Sequence, residues 1–254
     1  MNMNITGKPY TAIIVQARLG SSRLPGKVLK EIEGKTMLGW VITRLQNAKQ
    51  PDDIIIATTT SEKDEAIVEE AKKYGVKYFR GNEDDVLDRY YQTAKHFGVE
   101  LIGRVTSDCP LIDPELIDEV LANFLSNFDK YDFCANTLKR TYPRGIGFSF
   151  VKFSALEKAW REAKQPYERV HVMPYIREHP GIFSLCSYEK EGKPLNHLRW
   201  TVDTEEDLQF VREIFKRLKN PGTAKWTDVL EIIEQEPGLM EINKNIKQKN
   251  LKDL

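Results

Sequence analysis

The chain has 254 residues, 38 Lys+Arg balanced by 38 Asp+Glu, and 41% hydrophobic residues. This length suits one α/β domain or one domain with a small appendage, and the apolar fraction excludes wholesale disorder. Zero net charge argues against the strongly basic footprint of a nucleic-acid binder, so no nucleic-acid partner is expected.

Residues 11–15 are an uninterrupted apolar run and predict a buried strand. The loop that leaves it, residues 16–27, contains Gln16, Ala17, Arg18, Gly20, Ser22, Arg23 and Lys27. Glycine lets backbone N–H groups approach an anion, arginine offers a planar fork and lysine a point charge. A cationic Gly/Ser turn at the carboxyl end of a sheet strand is therefore a candidate polyphosphate site. It is not a Walker A loop, because Leu29 stands five positions before Gly34, where that motif needs glycine, and no G-x-G-x-x-G is present. Gly34-Lys35 predicts a turn before a helix starting near Thr36. Residues 54–58 predict a second strand. Ser61 to Asp64 predicts a capping box that opens a helix through Tyr74. Residues 77–80 predict a strand, 84–97 a helix behind the polar turn 82–85, and 101–106 another strand.

Asp108 stands just past that strand, where a carboxylate suits Mg²⁺, which takes one or two carboxylates plus substrate phosphates. Asp113, before Pro114, fits a helix cap instead. The helix that follows carries Leu116, Ile117, Val120, Leu121, Phe124 and Leu125 on one stripe. Residues 131–136, 146–151 and 182–188 predict strands broken up by Pro143, Pro166, Pro174 and Pro180. Residues 199–202 predict a strand, Thr204 to Asp207 a capping box, and the helix beyond it presents Leu208, Val211, Phe215 and Leu218 on one face. Glu205, Glu206 and Asp207 suit a helix start, but Asp203 lies outside that first turn and is left unexplained by the dipole. Residues 226–235 predict the last helix, and the Lys- and Asn-rich tail from Asn243 is expected to fray. Cys109, Cys134 and Cys186 are too scattered for a disulfide framework or a zinc cluster and read as reduced thiols. No run approaches the roughly 18 apolar residues of a membrane span, and residues 1–6 lack a signal pattern, so a cytoplasmic protein with no membrane partner is expected.

The 15–28 loop resembles the nucleotide-binding signature of the sugar-acid cytidylyltransferases. This group includes CMP-Kdo and CMP-sialate synthetases and the spore-coat polysaccharide biosynthesis proteins of the F type, and the likeness to the last runs over most of the chain. The segments Ser107-Asp-Cys-Pro-Leu111 and Arg80 to Tyr90 share in it, as do Tyr142 to Phe150 and Glu168 to Tyr175. The resemblance implies a single domain of the nucleotide-diphospho-sugar transferase type. That fold is α/β, with a mostly parallel central sheet flanked by helices and an added β lobe. Its nucleotide half would span about 8–136, its acceptor lobe and closing sheet edge about 137–242, and its tail 243–254. The activity implied is transfer of CMP from CTP to an acidic sugar or similar acceptor, with pyrophosphate release, in surface polysaccharide or glycoconjugate biosynthesis.

By the same resemblance, Arg18 and Lys27 hold the triphosphate, Arg23 assists, and the backbone at Gln16 and Ala17 faces the base. Asp108 and Asp203 together hold Mg²⁺, and Arg18, Lys27, Asp108 and Asp203 form the catalytic set. Thr58 and Arg80 are placed beside the nucleotide pocket, although a structural reading of both stays open. Arg104 is open between the nucleotide and a surface carboxylate. Tyr142, Arg144 and His171 fall in acceptor-lobe segments, with His171 equally readable as a packed residue. The chain departs from the pattern at Gly147 and Ser149, where relatives of the spore-coat F type usually carry Asp and Glu, so an acceptor that is shorter, more anionic or less rich in hydroxyls facing this wall is expected. A glycosyltransferase and a non-catalytic nucleotide binder are the alternatives; the first would normally show an Asp-x-Asp motif at a strand end, which is missing. Neutral charge and an apolar second half allow a homodimer.

Overall fold

The sheet is built outward from strand β1 (Thr11–Gln16), whose alternate residues are buried on opposite faces. In the computed structural model, which describes residues 7–250, a small hairpin follows, β2 (Glu31–Ile32) and β3 (Lys35–Thr36), then helix α1 (Met37–Leu45). The nucleotide half continues through β4 (Asp53–Thr59), α2 (Glu65–Lys73), β5 (Lys77–Gly81), α3 (Val86–Phe97), β6 (Leu101–Thr106) and α4 (Pro114–Ser126). The second half contributes β7 (Phe133–Ala135), β8 (Ser149–Lys152), α5 (Phe153–Glu162), α6 (Pro166–His171), α7 (Pro174–Glu178), β9 (Leu185–Ser187), α8 (Glu205–Arg217) and α9 (Trp226–Gln235).

Among the described residues the main sheet runs β5-β4-β1-β6-β8-β7-β9. Strands β5, β4, β1 and β6 pair in parallel, β8 is antiparallel to β6 and β7, and β9 is parallel to β7. This is the expected mostly parallel α/β sheet, and the later strands extend it. Ile13 and Val15 pack with residues of α1, α4 and α8, whereas Ala12 and Ile14 pack with α3 and α5. A strand covered on both faces must be apolar at every position, which is why residues 11–15 show no alternation.

Most predicted helix starts form as expected. Thr36 caps α1 by accepting from Gly39 N, Asp85 caps α3, Asp113 caps α4, and Thr204 with Asp207 makes the capping box of α8. The expected box at residues 61–64 does not form. Ser61 makes no side-chain cap, residues 62–64 form a 3₁₀ turn, and α2 begins at Glu65. The buried Asp64 carboxylate turns back instead and accepts from Leu19 N and from the Thr59 hydroxyl.

Residues 199–202 are not a strand. Trp200 and Val202 are buried, which mimics strand alternation, but the backbone is spent on loop contacts. Trp200 N donates to Arg144 O, Val202 N donates to Asp108 O, and Arg144 and Arg199 form only an isolated bridge. The predicted strands at 131–136, 146–151 and 182–188 shorten to β7, β8 and β9. The tail does not fray where it starts: Asn243 is buried and its amide donates to Arg199 O and Asp207 Oδ1. All three cysteines are buried free thiols. Among the described residues no helix is long and apolar enough to cross a membrane.

Gly145 shows how tightly the second half is stitched to residues 199–202. Its φ is +114°, and a Cβ there would lie 2.5 Å from Thr201 N and nearer still to the Trp200 carbonyl carbon. Both the left-handed backbone and the close approach require glycine. Gly145→Ala is expected to lower stability by about 1–3 kcal/mol or more, read as a shift in the urea midpoint; an unchanged midpoint would show that the loop can move off residues 200–201.

Candidate functional site

The loop after β1 is held in shape by its own backbone and by Asp64. Leu19 N donates to Asp64, while Leu19 O accepts from Ser21 N and Gly26 N. Gly26, at φ +67°, turns the chain into a 3₁₀ turn that begins with Lys27. The Lys27 ammonium then points into the carboxyl end of the sheet. It donates to Asp108 Oδ2 at 2.9 Å, to Asp203 Oδ1 at 3.0 Å and to Val202 O at 2.8 Å. An ammonium has three protons, so all its donors are used.

The two aspartates therefore meet at one point although 95 residues separate them. Asp108 leaves the end of β6, and its other carboxylate oxygen accepts from the Thr106 hydroxyl at 2.6 Å. Asp203 also faces Arg23 at 3.0 Å and, through Oδ2, Arg199 at 3.0 Å. Arg199 is held in turn by Asp207, the partner of Thr204 in the capping box of α8. Burial alone would push the Asp108 carboxyl up, but the Lys27 charge and the Thr106 hydroxyl overcome it and hold the group at about 2. Burial opposes the charge on Lys27 in the same way, yet the two aspartates raise it above its ordinary value.

Two compartments meet at this cluster. The smaller, about 340 Å³, is lined by Gln16, Ala17, Arg18, Gly20, Ser22 and Lys27, with Val86 and Arg89 from α3. The larger, about 670 Å³, is lined by Arg140, Arg144, Gly147, Ser149 and Arg177. Arg23, Arg104, Asp108, His171 and Asp203 line both. Arg104 donates to Gln16 Oε1 at 3.1 Å and lines the cleft, and among the described residues it pairs with no carboxylate. Arg18 is only loosely tied, 4.0 Å from Glu83 and 41% exposed.

Three expected site residues lie elsewhere. Thr58 is fully buried within β4 and lines neither compartment. Arg80 points away from the cleft, donating to Thr59 O, Ser61 O and Glu65, so from its segment Arg89 reaches the cleft in its place. Tyr142 is buried edge-on to Trp226, 5.6 Å between centroids, and supports the wall from behind. Sequence reasoning also passed over Asp64, Arg89, Arg140, Arg177 and Arg199. Asp64 and Arg177 have partners distant in the chain, Leu19 and Thr137, which no spacing rule marks; Arg199 stands four residues before Asp203, a local signal that could have found it. Gln248 and Lys249 from the tail also line the larger compartment, and Gln248 accepts from Arg199.

The donor set suits a hard divalent cation. Two carboxylates converge where Lys27, Arg23 and Arg199 already supply positive charge, and among the described residues no group of three His, Cys, Asp or Glu side chains forms a cage. Two carboxylates are fewer than a closed all-protein cage needs, so a cation held here would take its other oxygens from elsewhere.

The cytidylyltransferase family profile matches residues 12–254. The spore coat polysaccharide biosynthesis protein SpsF of Bacillus subtilis is 29% identical over 230 residues, covering 88% of this chain and 94% of that protein. The structure of a cytidylyltransferase from Leptospira borgpetersenii superposes with a TM-score of 0.89 at 33% identity, covering 95% of this chain and all of its own. That of a CMP:2-keto-3-deoxy-manno-octonic acid synthetase complexed with CTP superposes with a TM-score of 0.63 at 19% identity, over 82% and 99% of the two chains, a likeness of fold alone.

Lys27→Met should leave Asp108 and Asp203 facing each other with one shared counter-charge gone. Losing one partner of a buried pair costs about 3–5 kcal/mol, and the remaining arginines on Asp203 place this case at the low end. Mg²⁺ is expected to raise the melting temperature of this variant more than that of the parent; an equal shift would show that the carboxylates do not take up the cation. The pH dependence has a definite sign. Because the Asp108 carboxyl is held below its ordinary 3.8, its pairing stabilises the fold above that pH and is lost as pH falls toward about 2. Asp108→Asn should flatten that limb of the stability profile in urea melts at stepped pH.

Proposed function

Because the chain belongs to the cytidylyltransferase family, we propose that it moves CMP from CTP to a small acidic acceptor and releases pyrophosphate, working in the cytoplasm on surface polysaccharide or glycoconjugate building blocks. The carrying observation is the meeting of Asp108 and Asp203 at the seam between a phosphate-loop compartment and a second, arginine-lined one. In this reading the smaller compartment, lined mainly by residues 16–28 and 86–108, takes the nucleotide, and the larger, lined mainly by residues 133–177, takes the acceptor.

In this reading Arg18 and Arg23 neutralise the β- and γ-phosphates, and the backbone at Gln16 and Ala17 faces the cytosine. Arg18 is free to do so, since its single weak tie to Glu83 is solvent-exposed. Lys27 reaches a phosphate only by giving up one of its three present acceptors, so its first task is to position the two aspartates. Asp108 and Asp203 would hold Mg²⁺, which supplies charge neutralisation and polarisation at the α-phosphate when bound. An acceptor oxygen then attacks the α-phosphorus in line and the α–β bridging bond breaks. Cys109, beside Asp108, is no rival nucleophile: burial and the Asp108 charge push its thiol up to about 12, and a thiolate is the reactive form. Direct displacement therefore needs no covalent enzyme intermediate, and catalysis rests on positioning and electrostatics.

Pyrophosphate release from CTP and Mg²⁺ across a panel of acidic acceptors tests the reading. Asp108→Asn and Asp203→Asn are each expected to lose about 10²–10³-fold in turnover while staying folded; near-parental activity in either at limiting Mg²⁺ would remove that residue from the site. Arg18→Ala should weaken CTP binding about ten- to hundredfold, the worth of a charge-assisted hydrogen bond, and calorimetric titration reads this directly.

A further inference from the structure

The chain contains fourteen arginines. Among the described residues, eight of them pair with a carboxylate, and two, Arg44 and Arg89, are buried on backbone carbonyls. The four that remain, Arg104, Arg140, Arg144 and Arg177, all line the larger compartment. They come from β6, from the loop between β7 and β8, and from α7, so the fold alone gathers them. Their ties are few. Arg104 donates to Gln16, Arg177 donates to Thr137 O at 3.1 Å, and among the described residues no carboxylate lies within 4.0 Å of any of the four. Burial and then Arg144 and Arg177 push Arg140 down to about 10, so the charges feel one another. Like charges gathered without a counter-ion are unfavourable, and an anion relieves them.

Gly147 and Ser149 leave this wall open. A Cβ at Gly147 would lie 2.6 Å from Thr137 Cγ2 and 3.5 Å from Arg140 Nη1, so the missing side chain is what exposes that guanidinium. Ser149 sits across from Arg104 in the β6–β8 register. Arg140, Arg144 and Arg177 do not line the phosphate-loop compartment, so a triphosphate held by residues 18–27 does not use them. A single carboxylate has two oxygens and one charge, which satisfies one arginine fork. Several forks match a group with more oxygens and two charges.

We infer that the acceptor carries a dianionic head group, tetrahedral as in a phosphonate or phosphate monoester or planar as in a dicarboxylate, and docks it on Arg140, Arg144 and Arg177. This rests on the CMP transfer proposed above and names the substrate class for it. The head group anchors the acceptor while a separate oxygen faces Asp108 and Asp203.

Calorimetric titrations of the full chain with methylphosphonate, malonate and acetate, at a pH where the first two are dianions, test it. At least one dianion is expected to bind tenfold or more tighter than acetate, methylphosphonate leading if the head is tetrahedral and malonate if it is a dicarboxylate. Arg140→Gln and Arg177→Gln should each weaken that dianion at least fivefold and leave CTP affinity within twofold, and Arg140→Lys should recover part of the loss. Acetate binding as tightly as both dianions in the parent protein, a result that needs no variant, would overturn the inference. So would dianion affinity that neither glutamine variant changes. Failure of CTP to bind the parent protein would instead remove the transfer reaction, while the dianion titrations would still decide the anion site.

Discussion

One ammonium group organises the functional end of this molecule. Lys27 joins the first loop of the sheet to the end of β6 through Asp108 and to the segment before α8 through Asp203. Each of these pieces would otherwise repel another, since two carboxylates cannot share a site unpaired. The Val202 N to Asp108 O hydrogen bond brings the same two segments together from the backbone side. Arg23 and Arg199 then surround Asp203, and Asp207 holds Arg199 while also closing the capping box of α8. The start of that helix is thus part of the same charged network.

The network accounts for the shape of the cleft. One side of it is the turn after β1, held by Asp64 and Gly26, with the loosely tied Arg18 at its rim. Its other side is a wall of arginines with few local partners, reached through a loop whose Gly145 lies flat against residues 200–201. Arg140, Arg144 and Arg177 line that wall and not the compartment beside the loop after β1, so the two sides of the cleft are built from different side chains. Positive charge is thus gathered on one side of the cleft although the chain as a whole is neutral.

Much of the architecture was legible along the chain. The apolar run at 11–15, the capping residues Thr36, Asp113 and Thr204, and Pro114 at a helix start are local signals, and each decides its own few residues. Gly20, Ser22, Arg18 and Lys27 marked a candidate anion site because their chemistry is shared within one loop, and all four line one compartment. The misreadings came where a local pattern served a distant partner. Asp64 matched a capping box yet holds Leu19, and Trp200 and Val202 alternated like a strand yet are buried in a loop. Asn243 belonged to a polar tail yet is buried under Asp207.

Sequence alone thus specified most of the elements and the α/β class, which depend on periodicity and caps, and singled out the loop after β1 and the two aspartates as candidates from their residue types at strand ends. Tertiary structure decided that Lys27 stands between Asp108 and Asp203, that Thr58, Arg80 and Tyr142 face away from the cleft, and that four arginines from three elements share one wall. The reason is physical: a charge is paired or left unpaired by whatever the fold brings within a few ångströms of it, and separation along the chain carries no record of that distance.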